Sequence, residues 1–136
     1  MTHYNKTWAT LLASLLGSLG AHRFYLGGLR DLFGWLHLAS VPLSALLYYS
    51  HKPDIVMFSL SPLIVSILLG QLQALVLGLM SDEKWDAKYN PQSGRKSVSR
   101  WPLALILVLT MALGATSLTA AWARLMDLAL TGGAFG

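Results

Sequence analysis

The sequence predicts an all-α, polytopic integral membrane protein with four transmembrane helices, the first of them short, and three observations carry that expectation. Apolar residues make up 54% of the 136 and charged residues only 12%, with a mean hydropathy of +0.53, whereas soluble domains carry roughly a quarter charged residues. The charges are also segregated: Arg95, Lys96 and Arg100 crowd one polar stretch, while Ile55 to Met80 holds none. Finally, four apolar tracts approach or reach the about 20 helical residues that a hydrocarbon core requires.

The first tract, Trp8 to Ala21, is the shortest and gives way to His22 and Arg23. It crosses if Tyr4 and Trp8 mark one interface while the long stem of Arg23 reaches the other. A cleaved secretory signal is the rival reading, since Lys6 supplies a basic start and Ser18-Leu19-Gly20 a small-x-small site. The expectation is that the segment is retained.

The second tract, Leu32 to Tyr49, contains His37 and Pro42 and is bracketed by Trp35 at one end and Tyr48 and Tyr49 at the other, as an aromatic belt would be. The third, Ile55 to Met80, has Pro62 near its start. The fourth, Trp101 to Ala123, has Pro102 where a first-turn proline fits. His51-Lys52-Pro53-Asp54 reads as a tight polar turn, because proline disfavours helix just before it. Residues 1–50 thus form a helical hairpin, 51–80 the third span, 81–100 a polar loop, and 101–136 the fourth span with its tail.

Within that loop Trp85 and Tyr89 stand four residues apart among Asp82, Glu83, Lys84, Asp86 and Lys88. This predicts a short helix lying along the headgroups on an aromatic face, stopped by Asn90-Pro91. With four spans, Arg23, Arg30, Lys84, Lys88, Arg95, Lys96 and Arg100 fall on one face and Lys6, Lys52 and Arg124 on the other. Lys and Arg near span ends favour the cytoplasm, so the first face is expected inside and both termini outside. The net charge of +4 forms no stripe with interleaved aromatics, which argues against nucleic acid; the bilayer and its anionic headgroups are the expected partner.

Small residues recur every fourth position at Ala9, Ala13, Gly17 and Ala21, and again at Ser66, Gly70, Ala74 and Gly78. Each set makes one stripe on which a neighbouring backbone approaches closely. The neighbour is either another helix of the same subunit or a second protein. His37, Gln71 and Gln73 are the polar groups inside the tracts; the two glutamines, two apart, point in different directions, and the alternatives are an interface histidine at His37 and satisfied interhelical hydrogen bonds at the amides, or a transport path that uses any of the three.

No catalytic group is expected: the tracts hold no paired acids, and neither His-x-x-x-His nor Gly-x-Ser-x-Gly occurs. The histidines at 3, 22, 37 and 51 sit in different segments, so neither a metal nor a cofactor is expected. With no cysteine, thiolate chemistry is excluded.

The densest local signal is Gly17-Ser18-Leu19-Gly20-Ala21-His22-Arg23-Phe24-Tyr25-Leu26-Gly27. Glycines permit a close chain reversal, and Phe24 and Tyr25 suit the headgroup level. Arg23 either snorkels to lipid phosphate, the favoured account, or pairs with a carboxylate such as Asp31. Arg30 and Asp31 face apart on a helix, so Asp31 suits a cap on the second tract while Arg30 joins the interface. His22, Arg23, Phe24, Tyr25, Arg30, Asp31, Trp85 and Tyr89 are thus the lipid-anchoring candidates.

This turn resembles that of the TM2 domain family, a short hydrophobic helix, a Gly-x-x-Gly-x-His/Asp-Arg-Phe-Tyr-x-Gly turn and a second helix. Gly28 to His37 and Gly78 to Pro91 are similar to a proteobacterial branch with extra spans, so the resemblance covers about two thirds of the chain. It implies a bacterial inner-membrane protein of unsettled biochemical role. The departure is at Leu46-Leu47-Tyr48-Tyr49, where family members often carry a Trp and an Asp. The leading expectation is a non-enzymatic assembly protein that packs with itself or with another membrane protein. A small oligomeric transport or channel subunit is the runner-up.

Overall fold

The structure is a computed structural model that describes residues 3–50 and 56–135; the expected turn at His51 to Asp54 and the first residue of the third tract lie outside them. Every regular element among the described residues is helical: α1 (Lys6–Leu16), α2 (Ala21–Gly27), α3 (Leu32–Ser50), α4 (Val56–Leu79), α5 (Asp82–Tyr89) and α6 (Trp101–Thr131), with one-turn 3-10 segments at Gly17–Leu19 and Gly28–Arg30.

Among the described residues three helices, not the expected four, are long and apolar enough to cross a bilayer: α3, α4 and α6. The first tract, expected as a short span, is not among them. Its helix α1 has 11 residues, about 16 Å of rise against a hydrocarbon core of about 30 Å. The chain then reverses. Gly20 takes a left-handed conformation at φ 70°, which glycine adopts without strain, and α2 runs back beside α1. Tyr25 Oη accepts from the Asn5 amide at 3.0 Å, and the Tyr4 and Tyr25 rings meet edge to face at 5.4 Å. Entry and exit of this hairpin therefore share one end of the bundle.

A broken helix leaves carbonyls without intrahelical partners, and a hydrocarbon environment offers them no water. Here α4 supplies donors: Gln71 Nε2 donates to the Ser14 carbonyl at 3.0 Å and Ser66 Oγ to the Ser18 carbonyl at 3.1 Å. The two small-residue stripes meet at the same place. A Cβ on Gly17 would lie 2.6 Å from Gly70 Cα, and Ala9, Ala13 and Ala74 are fully buried. Gly78 lies against Thr10 and Leu107, so α4 touches α1 and α6 through one small residue.

α4 is the axis of the bundle, with α1, α3 and α6 packed around it. Pro62 removes one amide from its ladder; the neighbouring Leu63 amide is taken up across the interface by Ser44 Oγ at 3.1 Å. α6 runs past the expected end at Ala123 through Thr131, where Gly132 terminates it at φ 70°. Arg124 pairs with Asp127, and Thr131 Oγ1 donates to the Asp127 carbonyl at 2.8 Å, holding that last stretch in register.

The N-terminal segment is not opposite residues 81–100, where the four-span expectation put it. Lys6 Nζ donates to Asp82 at 2.9 Å, to Ser99 Oγ at 3.0 Å and to the Met80 carbonyl. Asn90 clamps the Tyr4 backbone, its Oδ1 accepting from the amide at 2.7 Å and its Nδ2 donating to the carbonyl at 3.1 Å. The N-terminal segment thus sits at the same end as residues 81–100, and the end of α6 at the other.

The short helix α5 exists as the spacing predicts, with Ser81 capping it through the Lys84 amide. It does not lie on the headgroups by its aromatic face, however. Trp85 is 0% exposed and its Nε1 donates to the Tyr4 carbonyl at 3.1 Å, so the aromatic side covers the mouth of the hairpin.

Candidate functional site

The re-entrant hairpin brings together residues that the sequence spreads over three segments. His22 is 1% and His37 6% exposed, with ring centroids 5.8 Å apart. Gln73 stands between them, its Oε1 facing His22 Nε2 and its Nε2 3.1 Å from His37 Nε2. His37 Nδ1 lies 2.7 Å from Ser66 Oγ, which in turn donates to the Ser18 carbonyl.

The order of donors follows from what each group can do. A carbonyl accepts, so Ser66 donates there and must accept from His37 Nδ1–H. His37 Nε2 then accepts from the Gln73 amide, and Gln73 Oε1 accepts from His22 Nε2–H. Both imidazoles are neutral in this arrangement, and only His22 Nδ1 is left without a partner. Such a closed set ties α2, α3, α4 and the hairpin tip into one register.

Around it the turn residues are placed by packing. Arg23 does not snorkel: its Nε and Nη2 both lie 3.2 Å from Asp31 Oδ1, and its guanidinium stands 5.0 Å over the Phe33 ring. The same Asp31 oxygen accepts the Gly34 amide at 3.1 Å, which caps α3 at its third residue. Phe24 packs edge to face on Trp35 at 5.4 Å and lies against Gly34. A Cβ at Gly20 would strike the Gly34 carbonyl at 2.5 Å, so the reversal needs both its left-handed backbone and this closeness. Of the anchoring candidates, His22, Trp85 and Tyr25 are thus held by protein, Tyr89 lies tilted against Trp85 with ring centroids 4.5 Å apart, and Arg30 is exposed.

A second feature follows from the half-span. The hairpin tip reaches α4 only as far as Ser66 and Gly70; from there towards the α6 C-terminus none of the described residues fills its place. A groove of about 950 Å³ opens between α4 and α6, lined by Leu60, Ile64 and Ile67 on one wall and by Ser117, Ala120 and Ala121 on the other, with Arg124 at its rim.

Sequence reasoning missed two arrangements. The histidines looked unrelated because 14 residues and a reversal separate them. The other is at α5: Ser97 and Ser99 each donate a backbone amide, at 2.7 Å, and a hydroxyl to Asp86 and Asp82 respectively. Two strand residues rise about 6.7 Å and four helical residues about 6 Å, so Ser-x-Ser opposite Asp-x-x-x-Asp was a readable signal. Ser97 holds the Asp86 carboxyl below the usual range. Burial alone would raise that of Asp82, but hydrogen bonds from Ser99 and Lys6 outweigh it and hold it low too.

Residues 2–48 match the TM2 domain family. The match takes in α1, α2 and almost all of α3, and ends before the 78–91 stretch to which the resemblance was extended. Neither a curated protein nor a solved structure matches the chain.

Proposed function

From a TM2 domain at residues 2–48 whose open face is completed by α4, we propose a non-enzymatic membrane assembly subunit that pairs with a second copy of itself. The observation that carries this reading is the α4/α6 groove beyond the hairpin tip. Its α6 wall is small, so another helix backbone can approach it closely. The occupant we infer is α6 of the second copy. That helix has 11% of its most apolar window buried inside the chain, against 22% for α3 and 28% for α4, and a two-fold pair would fill both grooves at once.

We place this subunit in a bacterial inner membrane with the 81–100 end cytoplasmic. Lys6 joins Arg23, Arg30, Lys84, Lys88, Arg95, Lys96 and Arg100 towards that end, while Arg124 is the basic residue at the other among the described residues; the bias supports this orientation. The N-terminus is then inside and the C-terminus outside. The transport reading draws on the buried histidines, but their chain of donors closes on a backbone carbonyl inside the protein.

The test is the mass of the particle extracted with its native lipid. Two copies are expected, and Ala121→Phe should give one, while Ala115→Phe, on the opposite side of α6, should leave two. A wild-type mass of one copy with lipid in the groove overturns the proposal.

A further inference from the structure

We propose that the polar recess beside the start of α6 binds the phosphate headgroup of an anionic membrane phospholipid. The recess holds about 450 Å³ and is lined by His3, Asn5, Thr7, Lys96, Arg100 and Pro102, among others.

Its charge is built in rather than incidental. The acids that could neutralise Lys96 and Arg100 are Asp82 and Asp86, and these accept from Ser99 and Ser97 instead. Side chains alternate along an extended segment. With Ser97 and Ser99 turned onto α5, Lys96, Val98 and Arg100 are directed away from it, and all three are exposed. Lys6, Arg23 and Arg124 each pair with an aspartate, whereas Lys96 and Arg100 have no carboxylate partner among the described residues. Two exposed cations thereby line one recess without a paired carboxylate among the described residues.

Two further features suit a lipid over a free anion. α6 (Trp101–Thr131) follows Arg100 with no side-chain cap, so the positive end of its dipole lies beside the recess at Arg100 and Pro102. Next in sequence to the lining residues Thr7 and Arg100, Trp8 and Trp101 are 52% and 75% exposed, and Leu105, one turn further along α6, is 50% exposed, an aromatic and aliphatic surface for acyl chains. A phosphodiester would take the cations and helix end while its acyl chains follow that surface.

The detergent-solubilised full chain would be titrated with phosphatidylglycerol and with phosphatidylcholine, and bound lipid counted by native mass spectrometry. One phosphatidylglycerol should bind at clearly lower concentration than phosphatidylcholine. The double variant Lys96→Gln, Arg100→Gln should weaken it by roughly 10- to 30-fold, and the control Lys84→Gln, Lys88→Gln on the outer side of α5 should weaken it by less than about threefold. Equal affinity for the two lipids, an equal loss in the control, or displacement by equimolar inorganic phosphate would each overturn the proposal.

Discussion

Lys6 Nζ lies 2.9 Å from Asp82 Oδ1, with the lysine side chain 7% exposed and the aspartate 25%. The pair joins the first turn of α1 to the first residue of α5, three residues past the end of α4, so α1 starts and α4 ends at the same level. An 11-residue helix tied at that end stops about halfway across the bundle, which makes the tip a matter of polar satisfaction.

The donors on α4 should therefore be worth more than ordinary interhelical hydrogen bonds. Gln73→Leu strands both histidines and Gln71→Leu strands the Ser14 carbonyl, and each unsatisfied buried group costs about 1–3 kcal/mol. Gln73→Leu should be the more destabilising in detergent unfolding. Equal and negligible effects would show that neither bond holds the tip.

At the crossing, Gly70→Leu drives a side chain into Gly17, and overpacking of this kind costs about 1–3 kcal/mol. Leu69→Ile, at a position 44% exposed, should change stability by less than about 0.5 kcal/mol. Equal tolerance of both would place the stripe against lipid.

Asp31 has two tasks, pairing with Arg23 and capping α3. Asp31→Ala should cost the cap, about 1 kcal/mol, plus the partly exposed ion pair, about 0–1 kcal/mol; Arg23→Ala loses the pair and its contact with Phe33. A double-mutant cycle should give a favourable coupling, and Arg23→Lys should recover only part of it, since one ammonium replaces two nitrogens on Oδ1. Full rescue by lysine with zero coupling would restore the snorkelling account.

The serine and aspartate ladder predicts a pH dependence. Asp82 and Asp86 have lowered values in the folded protein, so their contribution is present above the unfolded value of about 3.9 and is lost as pH falls through the folded values. Carbon NMR of the carboxyls should show both titrating below the value of about 3.9 of an unfolded aspartate. Ser99→Ala should raise Asp82 alone and Ser97→Ala Asp86 alone; a common shift in both would mean the strap is not paired residue by residue.

Much of this was legible in the sequence: three spans by length and apolarity, the short helix α5 by its Trp85 and Tyr89 spacing and its stop at Asn90-Pro91, and the TM2 turn by its residues. The half-span was not, because 14 apolar residues followed by an arginine fit either a thin crossing or a reversal. What decides is a set of distant partners for Lys6 and Tyr4, some 75 to 85 residues on. Arg23 was misread for the same reason: in a crossing helix it ends at lipid, but in a hairpin it meets Asp31. The groove is a consequence of the half-span and could not be seen before it.

The re-entrant hairpin is tested most directly by single cysteines at Asn5, Gln92 and Thr131, all exposed, in a chain that has no cysteine of its own. With an impermeant thiol reagent applied to one side of sealed membranes, Asn5→Cys and Gln92→Cys should label from the same side and Thr131→Cys from the other. Labelling of Asn5→Cys together with Thr131→Cys, and not with Gln92→Cys, would contradict the hairpin and restore four crossings.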